Sequence, residues 1–343
     1  MAETPLFDQI NWRDPLTGRE LKPVVQARTP AGVPVCGALV VPGTNIGYPI
    51  VDCVVRLTPK LAHRYADWLR TLGLEPPVSR VGQAFQEEST VESFGFQWSL
   101  NSAMRSEADL EWRIAQLFGL QRTDFGGRLV LDAGAGAGDQ SRWLLDRGAA
   151  VISLELSDAI DVVARKLRGN SRWVGVQGDI TVLPFADQGF DLVYCEGVIH
   201  HTRNSQLAVN ELCRVLRDHG IILATHYGVF PSTLKRLRLR FLTAVRNRVR
   251  RWDQWKLLWL TGNLAALAYV PLFGRLFILS GLAVYYDLMP DFKTTWTNTY
   301  DRFGIHAYQR HVTPDEFRLY FTRIAGMTIA YQDYMVVRAQ KSQ

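Results

Sequence analysis

Three carboxylates and a run of alternate glycines are the residues of this 343-residue chain whose types and spacing could do chemistry together. Asp132 ends the apolar run RLVLDA, and Gly134, Gly136 and Gly138 follow at once in LVLDAGAGAGDQSRWLL. Glu155 lies near the end of AVISLEL, and Asp179 follows the next apolar run in VQGDITVLPF. A glycine turn between strand and helix lets backbone approach a ligand closely and aims the helix's first N–H groups at it. The loop lacks the Gly-Lys-Ser/Thr of a phosphate-binding P-loop. It fits a dinucleotide fingerprint only in part, because the sixth position counted from Gly134 is Asp139. A fixed carboxylate at Asp132 would repel a diphosphate and favour a cationic ligand. Glu155 stands at the spacing where a carboxylate accepts both ribose hydroxyls, and Asp179 could accept from an adenine amino group with Ile180 packed beside the ring.

A nucleoside carrying positive charge satisfies all of these, and S-adenosylmethionine, with its sulfonium and α-ammonium, is such a ligand. The elements that must position the acids are legible in the same stretch. Apolar runs at 128–133, 150–156, 172–177, 190–196 and 220–226 alternate with helical patterns at 139–147, 158–168 and 205–217. That alternation predicts an α/β fold, a parallel sheet wrapped by helices on both faces. Ligands of open α/β sheets bind outside the carboxyl ends of the strands, so the three acids converge on one crevice. Taken singly, each acid also reads as a polar residue leaving a buried strand. Near the C-terminus, TPDEFRLYFTRIA predicts a helix opened by a Thr313/Glu316 capping box, and GMTIAYQDYMVVRAQ a closing hairpin.

VLDAGAGAGDQSRWL, VISLELSDAIDVVARK, QGDITVLPFADQGFDLVYCEGVIHHT and ELCRVLRDHGIILATHYG, in that order, resemble the class I S-adenosylmethionine-dependent methyltransferases, in particular the ubiquinone and menaquinone biosynthesis group. The resemblance covers about residues 90–228 and implies a Rossmann-like, seven-stranded sheet. It implies that Asp132, Gly134 and Gly136 surround the methionine part of the cofactor. Glu155, with Leu156 beside it, would line the ribose, and Asp179 and Ile180 the adenine. SFGFQW looks like a further element of these enzymes, placing Phe94, Gln97 and Trp98 over the cofactor; Trp98 reads equally well as a core aromatic. The product would be S-adenosylhomocysteine, and no metal is expected.

Methyl transfer from a sulfonium is an in-line displacement, so holding nucleophile and methyl group collinear supplies much of the rate, and a base is needed only if the acceptor must lose a proton. The loop CEGVIHHTRN should lie beside the methyl group, which makes Glu196, His200 and His201 candidates, His201 foremost. The paired histidines also read as a structural feature of such enzymes. His226 and Tyr227, past the fifth strand, face the expected acceptor side, and His306, Tyr308 and His311 in DRFGIHAYQRH could close it.

Four units are expected: a small β-rich N-terminal domain at 1–85, the cofactor-binding core at 86–228, a helical insert at 229–312, and a C-terminal helix and hairpin at 313–343. DPLT and YPIVDCVVRLTP resemble a small zinc-ribbon-like module, with Asp14 and Thr17 where its first cysteine pair would stand, so the module would have lost its metal. The four cysteines show no metal-binding or disulfide spacing, and the N-terminus lacks a secretory pattern, which points to the cytoplasm. The net charge of +6 is concentrated in residues 229–312, where 13 Lys and Arg face 4 Asp and Glu. There Leu234, Leu237, Phe241, Val245, Val249 and Trp252 recur at steps of three or four in a basic amphipathic helix, followed by apolar runs too broken for a transmembrane span. Three readings of this insert stay open: a lid over a small-molecule or lipid-linked acceptor, a peripheral membrane contact through residues 234–289, and a homo-oligomer or RNA interface. The Arg-and-aliphatic pattern argues against nucleic acid. Outside enzymes altogether, the chain could be a catalytically silent cofactor-binding scaffold, and a tRNA-modifying methyltransferase is the remaining alternative.

Overall fold

Four short strands precede the glycine loop: β1 (Lys22–Arg28), β2 (Pro34–Val40), β3 (Gly47–Val51) and β4 (Val54–Arg56). The structure is a computed structural model and describes residues 4–78, 95, 105–121, 124–229, 232–271, 273–284, 292–304 and 308–342. The alternating region follows as β5 (Leu129–Ala133), β6 (Ala150–Glu155), β7 (Trp173–Gln177), β8 (Phe190–Cys195) and β9 (Leu216–Thr225), and the hairpin as β10 (Met327–Asp333) and β11 (Val336–Lys341). All eleven form one sheet in the order β1-β2-β3-β4-β7-β6-β5-β8-β9-β11-β10. Its seven strands from β7 to β10 are the expected methyltransferase sheet, parallel except for β11, which is antiparallel to both neighbours. β7 and β8 are buried throughout, as near-continuous apolar strands covered on both faces must be.

The β-rich N-terminal segment joins this sheet. β4 runs parallel to β7, with Val54, Val55 and Arg56 opposite Gly175, Val176 and Gln177. An open β7 edge would expose a row of unpaired backbone groups, and β4 covers it. Arg56, 1% exposed, locks the seam by donating to Gln177 Oε1 and Asp161 Oδ1, both at 2.6 Å. Where the cysteine-bearing module would bind metal, Asp14 instead accepts from Thr17 Oγ1 at 2.5 Å, Leu16 N at 3.0 Å and the buried Tyr48 hydroxyl at 2.6 Å. A carboxylate-centred hydrogen-bond knot thus stands at these positions. Burial, with Asp14 adding, pushes the Tyr48 phenol well above its ordinary range.

Helices Asp139–Asp146, Ile160–Leu167 and Ser205–Arg214 lie close to their predicted spans. Thr58 caps its helix by accepting from Leu61 N, although that helix breaks at Tyr65, and the Thr313/Glu316 capping box is present. The insert is helical over Thr233–Val249, Gln254–Leu267, Gly274–Ser280 and Phe292–Phe303, with a small core of Leu242, Val249, Leu257, Tyr300 and Phe303. Its first helix buries only the C-terminal end of the stripe that the spacing singles out, Val249 fully and Val245 in part. Leu242, Arg246 and Val249 face inward, whereas Leu234, Leu237, Phe241 and Trp252 are exposed. Leu239 and Leu242 form a second apolar line that converges with the first at Val249; Leu242 and Val249 belong to the core, Val245 packs against it, and Leu239 lines the neighbouring cavity. Among the described residues no helix is long and apolar enough to cross a membrane.

Candidate functional site

The sheet brings the three acids to the carboxyl ends of β5, β6 and β7, which are neighbours. After β5 the chain turns through the glycines, and the amides of Gly134 and Ala135 both donate to Leu154 O, at 2.7 and 3.0 Å, tying the loop to β6. Gly134 has a φ of +94°, and a β-carbon there would come 2.2 Å from Val198 Cγ2, so the position takes only glycine. Glu155 Oε2 accepts from Gly136 N at 3.1 Å, while Oε1 accepts from Ser157 N and Oγ at 2.9 and 2.8 Å. The acid expected at the ribose therefore also holds the loop. Each carboxylate oxygen can accept two hydrogen bonds, so Oε2 keeps capacity for a hydroxyl. Leu156 is half-buried in the bend that follows.

Asp132 lies under the loop, 2% exposed. Ser141 Oγ donates to it at 2.6 Å, Ser141 and Ser153 share a 2.6 Å hydroxyl contact, and Trp173 Nε1 donates to Ser153 at 2.9 Å. This relay fixes the carboxylate against rotation. Burial pushes its pKa up to about 7; Ser141 and Arg105 oppose the rise, and Glu155 and Glu196 add to it. An acid so poised gains from a cation placed beside it. Asp179 Oδ1 accepts from Thr181 N and Oγ1, both at 2.8 Å, with Ile180 buried next to it. In the first turn of the helix after the glycine loop, Gln140 is buried with neither amide atom paired among the described residues, a cost that a ligand's polar groups would remove. The donor set thus fits a nucleoside with a cationic tail. Trp98, with Phe94 and Gln97, lies outside the described residues. Gly95 is described, and a β-carbon on it would lie 3.6 Å from Asp158 N and 3.8 Å from Ser157 Cβ.

Beyond β8, Glu196 is held by Arg105 at 3.2 Å, by Arg113 and by the Tyr194 hydroxyl. Burial works to raise its pKa, but the two guanidinium groups and Tyr194 keep it below the ordinary carboxylate value, which makes it a poor proton acceptor. Arg105 and Arg113 were not singled out in the sequence. Their signal there is slight, an arginine before and after the Ser106-capped helix Glu107–Trp112, with Arg113 four residues past its partner Asp109.

His200, His201, His226 and Tyr227 come together beyond the ends of β8 and β9. His200 stacks on Tyr227 with ring centroids 3.5 Å apart, and His201 meets Tyr227 edge-on at 5.6 Å. His201 Nδ1 lies 3.0 Å from Tyr308 O, and His226 Nδ1 3.0 Å from Tyr227 O. A carbonyl only accepts, so in each neutral ring Nδ1 carries the proton and Nε2 is the basic nitrogen. His226 Nε2 is 3.3 Å from Ser205 Oγ. Burial, helped by His311 and Arg310, pushes the His226 pKa down to about 4 against the pull of the Tyr227 carbonyl, so the ring is neutral at physiological pH. Tyr227 donates its hydroxyl to Asp301 of the insert at 2.8 Å, and its ring lies 5.6 Å from that of His311. His306 lies outside the described residues. Among the described residues no group of three or more His, Cys, Asp or Glu could hold a metal ion.

Residues 131–224 match the family model described as a methyltransferase domain. A malonyl-[acyl-carrier protein] O-methyltransferase of Legionella pneumophila is 34% identical over 128 residues, 36% of this chain and 44% of that protein. A demethylmenaquinone methyltransferase of Clavibacter sepedonicus is 31% identical over 137 residues, 40% of this chain and 55% of that protein. The chain thus spans about half the length of these curated relatives. A Burkholderia thailandensis 1,6-didemethyltoxoflavin-N1-methyltransferase, solved with its substrate and S-adenosylhomocysteine, aligns over 95% of this chain and 97% of its own at 15% identity and a TM-score of 0.41. The resemblance read from the glycine loop and strand-end acids is borne out over the matched segment: residues 131–224 are a methyltransferase domain of the class I, S-adenosylmethionine-dependent kind.

Proposed function

We propose that the whole chain is an S-adenosylmethionine-dependent methyltransferase whose acceptor is an apolar or amphipathic molecule reached at a lipid surface. The observation that carries the reading is Glu155, which holds the Gly136 amide while presenting a carboxylate at the end of β6, so that loop geometry and ribose recognition depend on one side chain. Asp132 and the loop amides would hold the methionine end, with Arg105 the cation facing that end, and Asp179 and Ile180 the adenine. Bound S-adenosylmethionine supplies an electrophilic methyl group on a sulfonium. His201 Nε2 is the group that would take a proton from an acceptor that must lose one, with Nδ1 fixed on Tyr308 O. Tyr227 and His226 would wall the acceptor, His226 as a neutral ring.

The insert supports a lipid-linked acceptor. Trp255 and Trp259 are 64% and 71% exposed, Phe241, Phe273, Leu276 and Leu279 are exposed as well, and the same insert carries the exposed Arg236, Arg240 and Arg248. Aromatic and leucine side chains among cations suit the headgroup region of an anionic bilayer. The relatives' names point the same way, since quinones and acyl carriers are lipid-related. The test is transfer of radiolabelled methyl from S-adenosylmethionine into a chloroform-soluble lipid extract. Wild type should move label into the organic phase, and Glu155→Ala should not, with at least tenfold weaker binding of S-adenosylhomocysteine. Label confined to the aqueous phase, or unchanged cofactor affinity in the variant, overturns the reading.

A further inference from the structure

Gln177, wholly buried, ends β7 directly opposite Glu155 at the end of β6. The two atoms of its amide face different parts of the chain. The oxygen accepts from Arg56 of β4 at 2.6 Å, while the nitrogen lies 3.3 Å from Leu156 O and 2.9 Å from Asp158 Oδ1, both in the loop after β6. A guanidinium only donates, so Arg56 settles which amide atom faces it and leaves both amide hydrogens for that loop. The loop is braced from two further points. Arg64, the last residue of the helix Pro59–Arg64, donates to both oxygens of Asp158 at 3.0 and 3.1 Å. Arg56 itself reaches Asp161, in the first turn of the helix Ile160–Leu167, at 2.6 Å.

The peptide unit between Leu156 and Ser157 carries the consequence. Its carbonyl accepts from Gln177, and its N–H is the one that donates to Glu155 Oε1 at 2.9 Å. The carbonyl and N–H of a planar peptide turn together, so a group that fixes the carbonyl also fixes the donor that orients Glu155. The Ser157 hydroxyl, on the same carboxylate oxygen at 2.8 Å, is placed with it. We propose that Gln177 is a positioning residue of the cofactor site: aimed by Arg56, it fixes the Leu156–Ser157 peptide and through it the Glu155 carboxylate, so that the ribose hydroxyls are read by a hydrogen-bond chain that begins in the N-terminal strands. The ribose at Glu155 rests on the function proposed above; the hold of Gln177 on the loop does not.

The experiment compares the full chain as wild type and as Gln177→Glu. The glutamate still accepts from Arg56, which keeps it ionised, so the seam with β4 retains its bond; it has no hydrogen for Leu156 O and sets a negative charge against Asp158. Calorimetry with S-adenosylhomocysteine and with its 2′-deoxy analogue reads the ribose contact. Wild type should prefer the ribose form about tenfold, the worth of one hydrogen bond to a charged acceptor, and Gln177→Glu should lose most of that preference. Loss of fold stability alone weakens both ligands alike and keeps their ratio, so a retained ratio overturns the proposal. Gln177→Met, uncharged and of similar length, repeats the comparison should the glutamate variant not fold. In the ligand-free chain the Ser157 amide should exchange its hydrogen about tenfold faster in either variant, and unchanged exchange also overturns the hold on the loop. Wild type that shows no preference for the ribose form, or binds neither ligand, strikes the cofactor reading of Glu155, and the exchange rates then decide the positioning role by themselves.

Discussion

Replacing Asp132 by asparagine tests the cofactor site at the residue where its electrostatics are most distinctive. Burial lifts this carboxyl from 3.8 to about 7, so keeping it ionised in the ligand-free protein costs on the order of 4 kcal/mol at about 1.4 kcal/mol per pKa unit. The folded-state pKa lies above the unfolded one. The cost is therefore absent below about pH 4, grows as pH rises, and is complete above about pH 7. A cationic ligand binds the ionised form, so below the pKa binding must expel a proton. In wild type the affinity for S-adenosylhomocysteine should fall by close to tenfold per pH unit below pH 6 and level off above pH 7, with nearly one proton released at pH 6. Asp132→Asn should bind at least tenfold more weakly at pH 7.5, lose the pH slope, and in the ligand-free form melt no lower than wild type, because the buried charge is gone while Ser141 keeps an acceptor. Calorimetry in two buffers of unlike ionisation enthalpy reads affinity and proton release together. A wild-type affinity that is flat from pH 5.5 to 7.5, with no proton released, would refute the placement of the cofactor's cation at Asp132.

Two further outcomes follow from the packing. Arg56→Met should lower the free energy of unfolding by about 2–3 kcal/mol in urea, toward the low end for a buried pair because Asp161 is a third exposed, and limited proteolysis should then cut first between the N-terminal strands and the core; an unchanged urea midpoint would mean that the β4–β7 seam does not depend on this residue. On the outer face of the insert, Trp255→Ser with Trp259→Ser should abolish flotation with phosphatidylcholine–phosphatidylglycerol vesicles at low salt, and failure of the wild-type chain to float at all would remove the lipid-surface reading.

The convergence of the three acids was legible because each sits at the end of a compact apolar run, and a parallel sheet sends every such end to one edge. The order of runs and helices was sufficient for a parallel sheet wrapped by helices, while the count of seven strands came with the family resemblance. Three features were not legible, each for its own reason. Glu196 stood out as a candidate base, but its guanidinium partners lie 83 and 91 residues earlier in the chain, so only folding reveals that its charge is already spent. Asp14 and Thr17 looked like lost metal ligands. The compensating partner, Tyr48, is 34 residues away and carries no local pattern. The four N-terminal strands suggested a small appended domain, yet nothing in their alternation says that β4 would extend the sheet along β7.

The insert helix shows most clearly where pattern stops and packing decides. Its sequence holds two apolar lines, one through Leu234, Leu237 and Phe241 and the other through Leu239, Leu242 and Val249, and helical periodicity cannot choose which faces the core. The structure buries the second line, and Arg246 goes in with it. Lowering that guanidinium from 12.5 to about 10 corresponds to roughly 3 kcal/mol spent keeping it charged, while the rejected line leaves leucines, phenylalanine and tryptophan in water. Burying the first line instead would put Leu239 and Leu242 in water, so either orientation leaves one apolar line exposed. Departures from local consistency of this kind gather at functional sites. A lipid surface against the outer face would relieve the second of these penalties by covering the apolar line that this seventeen-residue helix leaves exposed.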